Sequence, residues 1–217
     1  AFEGAKIFCG MRGAEGAIDH VQAENGQPVC SVIGGGTAAG ICGSGLLDAV
    51  RTLLELEFVT PSGRMDDSMG DPALWTTADG CKALRLSGDV VLTQKDVREV
   101  QLAKGAIRAG IELMARQYGV RTDEIETVYL AGAFGNYLDP ASACAIGMIP
   151  PCLLEKIVPI GNAAGDGAKM AALSKEDMAR GCRMAEETEF LELASLPEFQ
   201  DCYVDCLSFE EEEDDDE

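Results

Sequence analysis

The chain has 217 residues, of which 47% are hydrophobic, and this is enough to bury a sizeable core in one large domain or two closely packed lobes. Its formal net charge is −21 at pH 7. Nucleic-acid binding needs clustered Lys and Arg to displace counterions from phosphates. A chain this acidic is therefore not expected to bind nucleic acid. No stretch approaches the roughly 20 apolar residues of a membrane-spanning helix, and no secretory pattern opens the chain. We therefore expect a cytoplasmic protein with no membrane partner.

The two ends of the chain carry separate expectations. The sequence opens at Ala1 without an initiator Met, which indicates a piece of a longer protein. We expect residues 1–209 to form an ATPase-type α/β domain. Residues 210–217 are all acidic and repel one another, so we expect a disordered, solubilising tail. A tail that binds a partner is the alternative.

Nine cysteines are spaced irregularly and form no CxxC pair. We interpret them as free thiols in a reducing compartment. Cys202 and Cys206 lie four residues apart and share a helix face, but two thiolates without further ligands make a poor zinc or iron–sulfur site. We expect no metal to be held by the protein's own cysteines.

The first half of the chain predicts a strand, a glycine-rich loop and a helix in that order. The strand is residues 28–33, and the loop is residues 34–45. Apolar residues then recur at steps of three and four, which predicts a helix that the turn at 61–63 ends. Residues 65–80 are polar and irregular and predict a loop, whereas residues 83–92 alternate as in a hairpin.

A long helix is predicted from Thr93 to about Tyr118. Thr93 and Asp96 form a capping-box pattern, a cap worth about 1 kcal/mol. Lys104 interrupts an apolar stripe whose other members are Val97, Val100, Ile107, Ile111, Met114 and Tyr118. An unpaired buried ammonium is costly, so Lys104 needs an anion, a carboxylate partner or a route to solvent.

Two interpretations of this helix stay open. In the first, Lys104 and Arg108, one turn further on, border a cleft that binds a nucleotide. In the second, Gly105 and Gly110 allow another helix to pack closely, and Lys104 pairs with a carboxylate.

Two further glycine turns follow predicted strands. Residues 127–130 predict a buried strand that ends in the turn 131–136, and Asp139-Pro140 then opens a short helix that reaches Ala145. Residues 156–160 predict the next strand, which ends in the turn 161–167.

The last part of the chain is predicted to be mostly helical. A helix is expected at 168–173, a second begins after Ser174, a strand follows at 189–193, and a last helix runs over 197–207. Strands that alternate with helices predict an α/β sheet.

Three times, therefore, a strand runs into glycines and then into a helix. Such turns place backbone amides and helix N-termini at the carboxyl edge of a sheet, where phosphates bind in open α/β folds. The alternative for any one loop is that tight turns need glycine anyway. The chain contains no GxxxxGK[ST] loop and no GxGxxG after a strand, which argues against P-loop and Rossmann chemistry. His20, the only histidine, is expected to lie at the surface or in a satisfied pair and not in a nucleophilic triad.

Six motifs occur in order along almost the whole chain: Gly4–Ile18, Gly40–Asp48, Leu92–Asp96, Gln101–Ile107, Leu130–Asn136 and Gly161–Gly165. Together they resemble the ATPase portion of reductive activators of corrinoid proteins. That family belongs to the superfamily of acetate and sugar kinases, heat-shock chaperones and actin. The resemblance implies an α/β fold with a ribonuclease-H-like, actin-like ATPase lobe and flanking helices, here as an incomplete two-lobed domain.

The resemblance also implies a function. ATP, with Mg²⁺, would drive a conformational change that lets an iron–sulfur domain reduce a Co(II) corrinoid to Co(I). The iron–sulfur domain and the first lobe, with its phosphate loop, are not in this sequence, so we expect the isolated chain to be a weak or inactive ATPase. The implied partners are a corrinoid protein and a second copy of the chain in a homodimer.

Site residues follow from the same resemblance. Leu130–Asn136 is similar to an adenosine-binding turn, Lys104 and Arg108 match the helix that borders adenosine in chaperones, and Gly40–Gly45 would approach phosphate. The candidate binding residues are Gly40, Gly43, Ser44, Gly45, Lys104, Arg108, Gly132, Ala133, Phe134, Gly135, Asn136, Gly161, Asn162 and Gly165. The catalytic base is unassigned, because Gln94, Asp96 and Asp166 are candidates only through their nearness to glycine turns.

One departure and two other functions stay open. The run Gly34–Thr37 lacks the acidic residue that a phosphate hairpin of this superfamily would carry. The chain is alternatively a phosphotransferase of the same superfamily that acts on a small molecule, which would need a positioned general base. The third interpretation is a non-catalytic lobe that serves dimerisation or docking.

Overall fold

The computed structural model describes residues 6–66, 74–77 and 80–209, apart from the side chains of Trp75, Ala133, Phe134 and Asn136. The predicted tail at 210–217, the start of the Gly4–Ile18 motif and parts of the 65–80 loop lie outside the described residues. The strands are β1 (Ala17–Glu24), β2 (Gln27–Val32), β3 (Gly40–Ile41), β4 (Leu74–Thr76), β5 (Lys82–Ser87), β6 (Val90–Thr93), β7 (Val128–Ala131) and β8 (Ile157–Gly161). The helices are α1 (Gly43–Glu55), α2 (Gln94–Tyr118), α3 (Gly132–Tyr137), α4 (Pro140–Ala145), α5 (Ala163–Leu173), α6 (Lys175–Glu187) and α7 (Phe199–Asp205).

Three small sheets carry these strands. One has the order β2-β1-β3, with β1 antiparallel to β2 and parallel to β3. The second is the antiparallel meander β4-β5-β6, and the third is the parallel pair β7-β8. Mixed sheets and interspersed helices confirm the predicted α/β class.

The core lies where α1 packs on β1. Ile18 of β1 and Leu46, Leu47, Val50 and Leu53 of α1 are at most 1% exposed. The apolar helical spacing predicted after the glycine loop therefore does face the core. Removing such a side chain, as in Leu47→Ala, typically costs 2–5 kcal/mol, so this packing holds the start of α1 firmly in place.

Helix α2 begins and ends as predicted, but its apolar stripe is only half buried. The hydroxyl of Thr93 accepts from the Asp96 amide, and Gly119 ends the helix in the left-handed region with φ of 75°. Val97 and Val100 are buried, whereas Met114 is 50% and Tyr118 is 87% exposed. The prediction that this apolar stripe is buried was therefore wrong for the second half of the helix.

The reason lies in what packs on α2. Helix α7 and the segment after it cover the face that carries small residues. A Cβ at Gly105 would lie 3.1 Å from the carbonyl oxygen of Cys206, and one at Gly110 would lie 3.4 Å from the Leu193 side chain. Close packing through Gly105 and Gly110, which the second interpretation of this helix required, is therefore present.

Three predicted elements need correction near the C-terminus. No strand forms at 189–193, where a single 3₁₀ turn spans Leu193–Ser195. Helix α5 begins at Ala163 instead of 168, because the side chain of Asn162 accepts from the Gly165 amide and starts the helix directly at the glycine turn. The last helix is Phe199–Asp205, shorter than the predicted 197–207.

Two predictions about strands are also wrong. The strand at 128–131 is not buried, since alternate residues face outward and Tyr129 is 65% exposed. Within the described chain only β8 pairs with this strand. Parallel strands are buried when helices cover both faces of their sheet, and here one face stays open. The 65–80 region is not wholly a loop either, because β4 pairs with β5 there.

Candidate functional site

Two clefts contain predicted site residues. The first, which we name the α1 cleft, has a volume of about 460 Å³ and lies at the N-terminus of α1. Its lining consists of Met11, Arg12, Gly13, Asp19, His20, Ile33, Cys42, Gly43, Ser44 and Tyr137. Gly43 and Ser44 belong to the predicted set, so the structure places this part of the motif at a concave surface.

The N-terminus of α1 is open towards this cleft. Cys42 is the N-cap in an extended conformation, and among the described residues no side chain accepts from the first-turn amides in a capping bond. The Ser44 hydroxyl instead donates to the main-chain carbonyl of Asp19, at 3.0 Å. Uncapped amides and the positive end of a helix dipole favour an anion at this end of the helix.

Asp19 is the residue that the sequence did not single out. It lies in β1, lines the α1 cleft, and its Oδ1 is buried with no hydrogen-bond partner among the described residues. A buried carboxylate oxygen without a partner is costly, so a cation or donor from outside the chain would stabilise it. The available signal was an acidic residue that directly follows the two buried residues Ala17 and Ile18 at the start of β1.

His20 has the satisfied role that the sequence predicted. Its Nδ1 lies 2.9 Å from Oδ2 of Asp48, and its side chain is more than half exposed. Oδ1 of Asp48 is the second buried oxygen without a hydrogen-bond partner in the described residues. Asp19 lines the cleft and Asp48 contacts the lining residue His20, so the surroundings of the cleft are acidic and a bound anion would need a cation beside it.

Two predicted glycines are required by packing. A Cβ at Gly40 would lie 2.6 Å from the carbonyl oxygen of Cys9, and one at Gly45 would lie 2.4 Å from that of Ile18. Neither distance can be accommodated without moving backbone. The close approach of β3 to the Cys9 backbone and of α1 to β1 is therefore sufficient to explain glycine at these two positions.

The first glycine loop does not share a sheet with the other two. Strand β2 runs antiparallel to β1, and β3 intervenes before α1, so the predicted single edge with three turns is wrong. The strands that lead into the second and third turns, β7 and β8, are parallel neighbours, with Ala131 opposite Gly161. The Gly132 and Gly161 turns therefore lie side by side.

Helix α3 connects those two turns to the α1 cleft. It begins at Gly132, where φ is 85°, and ends at Tyr137, which lines the cleft. Gly135 packs against Leu130 at the end of β7. The side chains of Ala133, Phe134 and Asn136 lie outside the described residues. The backbone thus brings the predicted adenosine turn and the α1 N-terminus to one side of the molecule.

Lys104 and Arg108 lie in the second cleft, which we name the α2 cleft, with a volume of about 640 Å³. Lys104 is 2% exposed, its Nζ donates to the main-chain carbonyl of Ser208, and it lies 5.5 Å from the centre of the Phe209 ring. Nε of Arg108 lies 2.9 Å from Oε1 of Glu112. Among the described residues, none from the three glycine turns lines this cleft.

The three candidate bases make local contacts. Gln94 accepts from the Met65 amide and donates to the Gly63 carbonyl, and the Asp96 carboxylate holds the start of α2. Asp166 is exposed and lies 3.0 Å from Nζ of Lys169. None of the three lines either cleft.

Burial makes two thiols poor nucleophiles, and their reactivity can be measured. Burial raises the pKa of Cys30 to about 11, and burial together with the neighbouring Cys202 raises the pKa of Cys206 to about 11. At pH 8 the thiolate fraction of such a thiol is about 100-fold lower than that of an ordinary cysteine. We expect iodoacetamide at pH 8 to modify the exposed Cys152 and Cys182 before these two thiols, with mass spectrometry of peptides as the measurement. Equal rates at all four positions would contradict the placement.

Comparison with known proteins gives one consistent result. The family model of the C-terminal domain of RACo, the ASKHA domain, matches residues 1–216. The corrinoid activation enzyme RamQ of Eubacterium limosum is 36% identical over 218 residues, which cover 94% of this chain and 37% of that protein. The [Co(II) methylated amine-specific corrinoid protein] reductase of Methanosarcina barkeri is 27% identical over 233 residues, with 96% and 40% covered.

A solved structure agrees with these relatives. A reductive activator for corrinoid, iron–sulfur protein superposes with a TM-score of 0.86 and 31% identity, over 95% of this chain and 34% of that one. The chain thus spans about two fifths or less of each of these proteins. In the described part of the chain, no helix has the length and apolarity needed to cross a membrane.

Proposed function

The chain belongs to the family of C-terminal ASKHA domains of RACo, and on that premise we propose that it is the ATP-binding and ATPase module of a protein that reductively activates corrinoid proteins. In this proposal ATP drives a conformational change, and an iron–sulfur domain outside these residues reduces Co(II) to Co(I). The names of the two relatives and of the solved structure support a corrinoid protein as the partner.

The α1 cleft is the observation that carries the nucleotide-binding part of the proposal. It combines the open N-terminus of α1, the guanidinium of Arg12 and the unpartnered carboxylate oxygen of Asp19. Amides at a helix N-terminus and an arginine suit phosphate oxygens. A carboxylate oxygen is a ligand type that Mg²⁺ prefers, so Asp19 fits a Mg²⁺ that accompanies the nucleotide.

The charge of the cleft makes the cation necessary. ATP carries several negative charges, and the Asp19 carboxylate adds another in the cleft lining. Asp48, whose Oδ2 lies 2.9 Å from Nδ1 of the lining residue His20, adds one more nearby. Bound Mg²⁺ neutralises phosphate charge and would remove most of this repulsion. We therefore expect nucleotide binding to depend on Mg²⁺, with Gly43 and Ser44 presenting helix amides to phosphate and Asp19 next to the metal ion.

The adenosine end is proposed at the Gly132 and Gly161 turns. Both follow the parallel strands β7 and β8, and α3 leads from the first turn to the α1 cleft. Asn162 and Gly165 form the first turn of α5 beside them. The proposed roles of Lys104 and Arg108 as nucleotide contacts stand apart from this group, because both lie in the α2 cleft.

Exposed apolar side chains support contact with a partner. No residue of α5 or α6 is buried, and Met170, Leu173, Met178 and Met184 are all more than half exposed. A corrinoid protein or a second copy of the chain, in a homodimer, is the proposed occupant of this surface. The nine free cysteines support a reducing compartment, so we place the protein in the cytoplasm.

The test is nucleotide binding by the full-length protein in the presence and absence of Mg²⁺. We expect Mg-ATP at 100 times its Kd to stabilise the fold by about 2.7 kcal/mol, and chelation of Mg²⁺ to remove most of that shift. Asp19→Asn should weaken Mg-ATP binding about 10-fold or more, since it removes a charged ligand of the ion. Isothermal titration calorimetry and thermal unfolding measure the two effects.

Two further variants sharpen this test. Asp89→Asn changes an exposed carboxylate in the β5-β6 turn and should leave binding unchanged. Lys104→Met keeps the apolar stem and should weaken binding only if its ammonium contacts the nucleotide. Undiminished binding by Asp19→Asn would place the phosphates elsewhere, and no binding of millimolar Mg-ATP by the unmodified protein would refute the proposed module.

A further inference from the structure

The α2 cleft concentrates positive charge in a chain that is otherwise acidic. Four cationic side chains line it, Lys104, Arg108, Arg116 and Arg121, in a chain with 17 Lys and Arg and a net charge of −21. Three carboxylates also line it: Glu112, Asp123 and Asp205. The cleft therefore carries net positive charge against a negative background, which favours an acidic ligand.

Two of those carboxylates are already engaged within the cleft wall. Glu112 lies 2.9 Å from Nε of Arg108 and also accepts from the Thr122 hydroxyl, at 2.7 Å. Asp123 lies 2.7 Å from Nη2 of Arg121, and the guanidinium lowers the pKa of that carboxyl, so Asp123 stays ionised. Arg116 is exposed, and its guanidinium has no hydrogen-bond or ion-pair partner among the described residues.

The segment that leads into the tail is fixed beside this cleft. Ser208 lines the cleft, and its carbonyl accepts from Nζ of Lys104. Phe209 is buried, and its main-chain N–H donates to the Pro61 carbonyl, at 2.8 Å. Gln101 also donates to the Leu207 carbonyl, at 3.0 Å. The chain therefore leaves the described structure at the cleft itself.

We propose that the acidic segment Glu210–Glu217 of this same chain binds in the α2 cleft. The segment is eight consecutive carboxylates, it begins one residue after Phe209, and it lies outside the described residues. Eight extended residues reach about 26–29 Å, which is ample to follow a cleft of about 640 Å³ from its rim. The segment has the charge opposite to that of the cleft, it is attached at the rim of the cleft, and it is long enough to extend along it. All three properties favour this segment as the occupant.

The consequence is an internal ligand that any other acidic molecule must displace. A tethered segment competes at a high effective concentration, in the millimolar range for short connections. Because the attraction is electrostatic and partly exposed to solvent, added salt weakens it. The inference is independent of nucleotide binding in the α1 cleft.

The experiment uses the full-length protein with the segment kept at its natural length. In one variant every Glu of 210–217 is changed to Gln and every Asp to Asn, and the probe is a fluorescent peptide with the sequence of residues 210–217. We expect the neutralised variant to bind this peptide at least about 10-fold more tightly than the unmodified protein, because the competitor is gone. We also expect affinity to fall steeply between low and high NaCl concentration.

Matched arginine variants decide where the peptide binds. In the neutralised background, Arg116→Gln with Arg121→Gln should weaken binding about 10-fold, whereas Arg180→Gln with Arg183→Gln, two exposed arginines of α6, should leave it unchanged. Absence of peptide binding by the neutralised variant overturns the proposal. Equal affinities of the neutralised and unmodified proteins also overturn it, because the cleft would then bind acidic peptides of other proteins and not its own segment. Peptide binding that is unchanged by the Arg116 and Arg121 substitutions overturns it as well.

Discussion

Replacing Gly45 by Ala is expected to destabilise the protein by about 3 kcal/mol or more, although the change adds a single methyl group. The new Cβ would lie 2.4 Å from the carbonyl oxygen of Ile18 and 2.9 Å from its carbonyl carbon. Both are backbone atoms of the central strand β1, so no side chain can rotate to relieve the contact. Overpacking in a tight core typically costs 1–3 kcal/mol, and a clash with backbone at this distance lies at or beyond the upper end. Chemical denaturation measures the free energy of unfolding.

Gly181→Ala is the matched control for this variant. Gly181 lies inside α6 and has no positive φ, and beyond the adjacent helix backbone no described atom lies within 4 Å of an added Cβ. Alanine should therefore stabilise the helix by up to about 1 kcal/mol. If Gly45→Ala unfolds like the unmodified protein but loses Mg-ATP binding, then the glycine serves ligand approach and not packing. A large loss of stability instead assigns Gly45 to the junction of β1 and α1.

Local patterns in the sequence were sufficient to predict most elements. The capping box at Thr93 and Asp96, the Asp139-Pro140 start of α4 and the Ser174 cap of α6 all depend on residues within one turn, and all three are present. In such caps a side chain bonds to a backbone amide about three residues away, so the spacing of residues in the sequence is enough to predict them. Packing between distant segments has no such local pattern.

The wrong predictions concern helix and strand faces whose burial depends on whether a distant part of the chain packs on them. The apolar stripe of α2 placed Ile107, Met114 and Tyr118 inside, yet α7 packs on Gly105 and Ala109. Burial depends on which element arrives from about 100 residues further on, and helical spacing cannot contain that information. The same holds for β7, whose outward face has no cover in the described chain.

The sequence singled out glycines at the α1 cleft but not the charged residues that line it. Gly43 and Ser44 could be found because a glycine-rich run precedes a helix, and the α1 cleft does lie there. Asp19 comes 25 residues before Ser44 and reaches the same cleft because β1 pairs with β3 and packs on α1. The parallel pairing of β3 with β1 and the packing of α1 on β1 bring the two residues together, and spacing along the sequence records neither.

Asp96→Ala is expected to lower the free energy of unfolding by about 3–5 kcal/mol. The carboxylate is 1% exposed and accepts three hydrogen bonds, each 2.8 Å long, from the main-chain N–H of Phe8, the main-chain N–H of Thr93 and the hydroxyl of Thr93. Hydrogen bonds to a charged acceptor are worth about 1.5–3 kcal/mol each, and their loss also strands buried donors. The variant therefore loosens the N-terminus of α2 together with the segment around Phe8.

Asp177→Ala is the appropriate comparison, because Asp177 occupies the same third position of a capped helix, α6, but is not buried. There the loss should be about 0.5 kcal/mol, as for an exposed first-turn carboxylate. Urea denaturation of both variants separates a structural Asp96 from a catalytic one. If Asp96 were a catalytic base, its replacement would abolish ATP turnover in the full-length protein at unchanged stability. The contacts with Phe8 and Thr93 instead predict that the free energy of unfolding falls and that any loss of turnover follows from unfolding.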